Sequence, residues 1–266
     1  MQSEELPVND SKSRTKSNLC GDWKPNLLRL VLGAVFAAGL GYIILKTVHP
    51  VFVVPEEIGN VPEASPLWLY ERHDKAKFEV DGKNFSIVFG LIGAIFGASC
   101  VVFSFGARSV YAIAIAVVGS AALGVMGANL SNWMFNNLRE TSGKDLLIVG
   151  ISLDSMRQTI LGYSLLWSLI GLGVGLGFGS VRGVGKSLVA GISGLCGGFL
   201  GALIYVFLTA QFSVGASMNR VFPLDNMSLA VWLVLFTVVI TVCIALGSGE
   251  KRRKGDPYGA KSRTTH

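Results

Sequence analysis

The stretch from 179 to 187 comes nearest to a recognised chemical motif. It ends in Gly185-Lys186-Ser187, as does a phosphate-binding loop, in which glycine amides and a lysine surround a nucleotide phosphate. That loop also needs a glycine five residues before Gly185, where this chain has Ser180. The residues before it form a glycine-rich apolar run and not a soluble strand. We therefore interpret the stretch as a basic turn between two membrane helices.

Patterns that could support catalysis or bind a metal are weak. The histidines, His49, His73 and His266, are scattered over loops and a tail. The chain has neither the His-Glu-x-x-His pattern of zinc enzymes nor the Gly-x-Ser-x-Gly pattern of serine hydrolases. The 4 cysteines have no paired spacing, and no spacing supports a site combining His73 with Asp74 and Asp154. The sequence therefore predicts no enzyme, no metal site and no cofactor.

The composition indicates a membrane protein. Of the 266 residues, 51% are hydrophobic and 15% are charged, whereas soluble domains carry roughly 25% charged residues. A helix needs about 20 mostly apolar residues to cross the hydrocarbon of a bilayer. Six runs meet this length, and they predict an all-α, six-helix transmembrane bundle with spans at 27–47, 86–106, 109–130, 161–181, 187–210 and 228–248. A tight hairpin at Gly106-Ala107-Arg108 separates the second run from the third.

The basic residues predict the orientation of this bundle, with both termini in the cytoplasm. In that arrangement the inner segments carry 14 basic and 6 acidic residues, and the outer segments carry 9 and 11. This asymmetry follows the positive-inside rule. The residues that set it are Arg108, Arg182, Lys186, Lys251, Arg252, Arg253 and Lys254. We attribute the basic pI of 9.2 to contact with anionic lipid head groups at the inner face, and not to nucleic-acid binding.

Glycines at four-residue spacing predict close packing between the helices. Glycine removes side-chain bulk, so two membrane helices can approach backbone to backbone. The predicted packing residues are Gly93, Gly97, Gly171, Gly175, Gly179, Gly194, Gly197, Gly198 and Gly201. The alternative interpretation is a flexible helix that lines a pore.

The chain also contains an internal similarity at an offset of 78 residues. Leu91-Ile92-Gly93 matches Leu169-Ile170-Gly171, and basic residues stand at equivalent places in both inner turns. Both hairpins run from the outside to the inside and back. We therefore expect two parallel repeats of a glycine-rich helical hairpin.

Outside the spans, we expect polar or irregular segments. Residues 1–25 and 251–266 read as cytoplasmic tails, the first disordered and the second basic, and the outer loops cover 48–85, 131–160 and 211–227. Asp81-Gly82 is typical of a β-hairpin turn; the competing interpretation is a helix that leads into the second span and breaks at Gly82. Leu153, Met156 and Ile160 have the spacing of a helix that lies on the surface.

The predicted spans contain no deeply placed charged residue. Charged groups within a span are the usual marker of a proton or ion pathway. Ser and Thr residues occur there, and they can bond to their own helix. The pattern argues against a proton-coupled transporter, and leaves a channel lined by small residues or a carrier of neutral solutes open.

The chain resembles uncharacterised bacterial polytopic membrane proteins with glycine-zipper hairpins. Three stretches carry the likeness: Phe52-Val53-Val54-Pro55-Glu56-Glu57, Gly90-Leu91-Ile92-Gly93-Ala94-Ile95-Phe96-Gly97 and Leu166-Trp167-Ser168-Leu169-Ile170-Gly171. The resemblance implies a multi-pass protein of the bacterial inner membrane and assigns no functional residue.

Two hypotheses follow from these observations. The first is a non-enzymatic structural or interaction module with a small outer segment, which functions as a homo-oligomer or with a membrane protein partner. The alternative is a channel or carrier for ions or small solutes, in which the two hairpin repeats line the path.

Overall fold

The structure is a computed structural model that describes residues 27–55, 67–107, 109–142, 153–212, 221–223 and 225–248. Side chains at 67, 138–142, 153–155 and 212 lie outside the description. The described residues form six α-helices and no strand: α1 Leu27–Thr47, α2 Leu67–Phe105, α3 Val110–Ser142, α4 Leu153–Ser180, α5 Val184–Phe212 and α6 Asn226–Ser248. Each helix is long and apolar enough to cross a membrane. The all-helical, six-span prediction is therefore confirmed.

Two tight turns at one end of the bundle reverse the chain. After α2, Gly106 adopts a φ of 76° and donates its N–H to Val102 O at 2.8 Å. After α4, Gly183 adopts a φ of 104°. Both values lie in the left-handed region that glycine enters without a steric penalty, so each residue can end its helix and reverse the chain. We call this end of the bundle the turn end.

Helices α2 and α3 extend further at the opposite end than the sequence predicts. They have 39 and 33 residues, or about 58 and 50 Å at about 1.5 Å per residue, against a hydrocarbon thickness of about 30 Å. Residues 67–85 and 131–142, assigned from sequence to outer loops, are helical. The β-hairpin predicted at Asp81-Gly82 is wrong, and the helix does not break at Gly82.

Local and tertiary contacts explain why α2 continues through Gly82. Glu79 and Lys83 form an ion pair at 2.8 Å, one helical turn apart. Ser86 Oγ donates to Gly82 O at 2.7 Å. A Cβ at Gly82 would lie 3.3 Å from Asn132 Nδ2, so glycine lets the polar side chains of α3 approach. Packing between helices therefore outweighs the local turn preference.

Helix α4 lies at the centre of the bundle. It contacts α2, α3, α5 and α6, whereas α1 packs against α2 and α6. Near its start, Met156 and Ile160 pack, partly buried, against the hydrophobic core. The predicted surface position of this segment is wrong for these two side chains, because the buried stripe of α4 continues back to Met156.

Candidate functional site

All nine predicted packing glycines lie against neighbouring atoms so closely that a methyl group would not fit. A Cβ at Gly197 would lie 2.7 Å from Ile240 Cα, and one at Gly201 would lie 2.8 Å from Phe236 Cδ1. At the other seven positions a Cβ would be at most 2.5 Å from its nearest neighbour. Real Cβ contacts essentially never fall below 3.0 Å. These positions therefore require glycine in this packing.

The contact between α4 and α5 is made by the two backbones. Cβ atoms at Gly171 and Gly194 would each collide with the carbonyl of the other residue. Gly175 faces the Ala190 carbonyl in the same way, and Gly179 faces Ser187. We call this contact the α4–α5 seam. At these positions nothing larger than a hydrogen atom separates the two helices.

A second glycine face of α4 packs against α3. A Cβ at Gly173 would lie 2.5 Å from Ser120 Cα, and one at Gly177 would collide with Ala116. Gly173 and Gly177 are absent from the predicted packing set. Their signal is visible in the sequence, since a step of two residues turns about 200° around a helix and points to the opposite face. We call this contact the α3–α4 seam.

The first hairpin combines the same close approach with a hydrogen bond. A Cβ at Gly93 would collide with Ser120 O, and one at Gly97 would lie 2.5 Å from Ala116 O. Fully buried Ser120 donates its Oγ–H to Gly93 O at 2.7 Å. The same hydroxyl also bonds to Ala116 O of its own helix, so its one proton is shared between the α3 backbone and the contact with α2.

Arg182 joins three helices at the turn end. Its guanidinium lies 5.9 Å from the ring centroids of Phe105 and Phe178, and Nη1 donates to Ser248 O at 3.1 Å. The π electrons of an aromatic ring attract a cation that lies over the ring face. The partial negative charge at the carboxyl end of a helix attracts it as well. Arg182 therefore connects the ends of α2, α4 and α6.

Of the other predicted orientation residues, Lys186 is the one that lies within the described part of the chain. Lys186 is exposed in the first turn of α5. Arg108 and the basic cluster Lys251-Arg252-Arg253-Lys254 lie outside the described residues.

An aromatic cluster fills the half of the bundle away from the turn end. Trp167 stacks on Phe236 with centroids 4.9 Å apart and meets Trp232 edge to face at 5.1 Å. Tyr163 lies 5.7 Å from both Trp232 and Tyr205. Both tryptophans are fully buried, and their Nε1 atoms have no hydrogen-bond partner among the described residues. The cluster is therefore packed by ring contacts and joins α4, α5 and α6.

Above this cluster, a short segment crosses the end of the bundle and is held by one asparagine. We call residues 48–55 the strap. Asn84 on α2 is only 1% exposed; its Oδ1 accepts the N–H groups of Val51 and Phe52 at 3.0 and 2.8 Å. Its Nδ2 donates to Phe52 O at 2.9 Å. Sequence reasoning missed this role because it depends on a contact between distant residues.

His49 fixes the start of the strap against two other elements. Its ring stacks on Phe85 of α2 with centroids 5.7 Å apart and meets Phe222 edge to face at 5.1 Å. Its Nδ1 is buried without a hydrogen-bond partner among the described residues. Burial lowers the pKa of His49, and the nearby Asp81 carboxylate opposes that shift. The arrangement therefore favours the neutral imidazole.

The residues weighed for catalysis do not form a site in the described part of the chain. His73 and Asp74 lie on the extended part of α2. The Asp154 side chain and His266 are outside the described part of the chain. No group of three His, Cys, Asp or Glu side chains that could hold a metal occurs among the described residues.

Polar side chains inside the helices bond mainly to their own backbone. Ser104 Oγ donates to Cys100 O at 2.6 Å, Thr237 Oγ1 to Leu233 O at 2.9 Å and Thr241 Oγ1 to Thr237 O at 2.6 Å. These bonds satisfy the three hydroxyl groups within their own helices.

Comparison with known proteins gives no functional lead. No protein-family model, no curated protein and no solved structure matches this chain.

Proposed function

We propose that the chain is a non-enzymatic integral membrane protein that serves as a structural or interaction module. The observation that carries this proposal is the close backbone contact on both glycine faces of α4. Gly175 meets Ala190 of α5, and Gly177 meets Ala116 of α3. A transport path between the hairpins would have to separate these backbones, and the fit of the glycines argues against such a path.

The extensions of α2 and α3 are the part of the molecule best suited to a partner. Asn132 Nδ2 donates to Phe78 O at 3.3 Å, and Asn129 Nδ2 donates to Ser86 Oγ at 2.7 Å, so the two extensions are joined. Trp68, near the start of α2, is 60% exposed. Tryptophan is enriched where proteins bind one another. We infer that a membrane protein partner, or a second copy of the chain, binds at this end.

We further propose a bacterial inner membrane with both termini and the turn end in the cytoplasm. The basic residues of the turn end, Arg182 and Lys186, support this orientation through the positive-inside rule. They would face anionic lipid head groups there. The strap and the extensions of α2 and α3 would then face outward.

The hairpins α2–α3 and α4–α5 are proposed copies of one unit, in keeping with the glycine-zipper resemblance. Each packs glycines of its first helix against carbonyls of its second. In the α2–α3 hairpin Gly93 faces Ser120, so the midpoint of this pair along the sequence lies between residues 106 and 107. In the α4–α5 hairpin Gly171 faces Gly194, and the midpoint lies between residues 182 and 183. The midpoints are 76 residues apart, two fewer than the sequence offset of 78, so a common origin would require a change in register.

A flux assay in liposomes tests the proposed function against the channel or carrier alternative. Purified protein is reconstituted with trapped ions or small neutral solutes, and their release is compared with that of protein-free vesicles. We expect equal release from both. Saturable or solute-selective release that depends on the protein would contradict the proposal, and loss of that release in Gly177→Leu would place the path between the hairpins.

A further inference from the structure

Three parts of the chain meet where the strap begins, and the titratable side chain of His49 lies between them. His49 begins the strap, Phe85 belongs to α2 and Phe222 belongs to the segment 221–223 before α6. The ring centroid of His49 lies 5.7 Å from that of Phe85 and 5.1 Å from that of Phe222. A change in the charge of His49 therefore acts on all three elements.

The environment of His49 accommodates the neutral ring and not the cation. A protonated imidazole carries N–H donors on both nitrogens, but Nδ1 is buried and has no acceptor among the described residues. A donor left unsatisfied in a buried position is costly. Protonation would thus require Nδ1 to reach water, which means moving the ring out from between Phe85 and Phe222.

The remaining contacts of the strap do not depend on pH. Asn84 holds Val51 and Phe52 through three hydrogen bonds, and an amide side chain does not titrate. The strap consequently has a permanent attachment at Asn84 and a second attachment at His49 that depends on protonation. Val53, beyond the attachment at Asn84, is 77% exposed.

We propose that His49 is a pH-sensitive latch, which holds the strap closed against α2 and the segment 221–223 when neutral and releases it when protonated. This inference goes beyond the proposed function and holds whether the chain is an interaction module or a transporter. Release would expose the rings of Phe85 and Phe222 at the end of the bundle where we place the partner.

The direction of the pH dependence follows from the shift of the pKa. Burial lowers the pKa of His49 in the closed strap from its ordinary value of 6.5, so the open strap binds the proton more readily. The latch therefore contributes its full stability above about pH 6.5 and loses it as the pH falls below that value. Each unit of difference between the two pKa values changes the ratio of open to closed strap by about tenfold.

Among the described residues, Asp81 is the charged group that acts on His49. Asp81 on α2 raises the pKa of His49 and so limits the shift. The described segment Val221–Pro223 carries no charge. Among the described residues, Lys46 near the end of α1 and Asp225 before α6 are the charged residues closest in sequence to His49 and to the segment 221–223. Removing the Asp81 charge should therefore lower the pKa of His49 in the closed strap further and increase the release of the strap at acid pH.

Spin-label mobility measures the opening of the strap directly. The variant Val48→Cys, at a half-buried position directly beside His49, is made in a background without the four native cysteines, labelled and reconstituted in nanodiscs, and its spectrum is recorded from pH 8 to pH 5. We expect an immobile label at pH 8 and a growing mobile component below pH 6.5. A spectrum that does not change over this range would overturn the proposal.

Matched variants assign the response to His49. His49→Phe keeps an aromatic ring without a titrating group, so the label should stay immobile at every pH, whereas His73→Phe should retain the acid response. Asp81→Asn should enlarge the mobile component at acid pH. An acid response that persists in His49→Phe would exclude His49 as the latch.

A second measurement holds even if the His49 variant does not fold. With His73 and His266 replaced by Gln, the remaining histidine can be titrated by NMR in the otherwise intact protein. A pKa below 6.5 is expected, and Asn84→Ala, which frees the strap, should return it toward 6.5. A pKa at or above 6.5 with the strap in place would overturn the proposal.

Discussion

The α4–α5 seam and the strap are held in opposite ways. In the seam, Gly171, Gly175 and Gly194 bring two backbones together because side chains are missing. In the strap, Asn84 and His49 make particular hydrogen bonds and ring contacts. The seam can be disrupted by adding almost any atom, whereas the strap can be released by changing one group. A rigid membrane bundle and a responsive surface thus coexist in one chain.

The largest expected effect is the loss of the folded bundle on adding bulk to the seam. In Gly175→Leu, the side chain would have to occupy the space of the Ala190 carbonyl and Gly191 Cα. Overpacked cores lose about 1–3 kcal/mol or more, and two helices would have to separate here. We expect little or no monodisperse protein by size-exclusion chromatography after detergent extraction.

Gly185→Leu is the matched control, because a Cβ at Gly185 meets nothing within 4 Å. This variant should be extracted and should elute like the unmodified protein. Normal elution and unchanged thermal stability of Gly175→Leu would rule out a close helix contact at that position.

A smaller effect is expected from detaching the strap. Asn84→Ala removes the side-chain oxygen that accepts the N–H groups of Val51 and Phe52. It also removes the side-chain N–H that donates to Phe52 O. Unsatisfied polar groups cost about 1–3 kcal/mol when they remain buried; here the strap can move into water instead. Hydrogen exchange should therefore accelerate at Val51 and Phe52 while the helices keep their protection.

Asn129→Ala provides the comparison for the strap. It removes the hydrogen bond from Asn129 to Ser86, which joins α3 to α2 near the same end of the bundle, but no contact with the strap that the structure records. Unchanged exchange at Val51 in Asn84→Ala, or equal acceleration in both variants, would contradict the assigned role of Asn84.

A more modest effect is expected at Arg182. Arg182→Gln removes the cation over Phe105 and Phe178 and weakens the contact with Ser248 O. Such contacts are worth about 1–2 kcal/mol when partly desolvated. The free energy of unfolding in mixed micelles should fall by about this amount, whereas Lys186→Gln should change it little. Equal effects of the two variants would indicate charge alone and not the contacts of Arg182.

The smallest effect should come from the exposed ion pair on α2. Glu79 and Lys83 are 2.8 Å apart, with side chains 66% and 56% exposed, and solvent screens an ion pair this exposed so that it contributes little to stability. Lys83→Gln should therefore leave the unfolding transition almost unchanged and slightly reduce the salt dependence. A clear loss of stability in Lys83→Gln would show that the α2 extension depends on this pair.

The spans and one glycine face could be predicted because their signals are local. Hydropathy marks any helix that must lie in lipid, and Gly171, Gly175 and Gly179 stand one turn apart. Gly173 and Gly177 were missed because their spacing identifies the opposite face of α4 only once that helix is known to be central. Asp81-Gly82 misled because turn propensity is local, whereas the contact with α3 that favours the helix is not.

The strap shows the same limit more strongly. Nothing near Asn84 in sequence indicates that its amide binds Val51 and Phe52, more than 30 residues earlier. His49 was dismissed as one of three scattered histidines, and only the folded chain places it beside Phe85 and Phe222. Chemistry that depends on contacts between distant elements cannot be found from spacing along the chain.

An alanine scan of α4 tests most directly whether this helix is packed on both faces by glycine. Each of the glycines at 171, 173, 175, 177 and 179 is replaced in turn by Ala, with Gly185→Ala as the control, and the free energy of unfolding in mixed micelles is measured. Both faces should be sensitive, so all five α4 variants should be destabilised and the control should not. If Gly173→Ala and Gly177→Ala were as stable as the control, the α3–α4 seam would be absent and the account of a closed, central α4 would be contradicted.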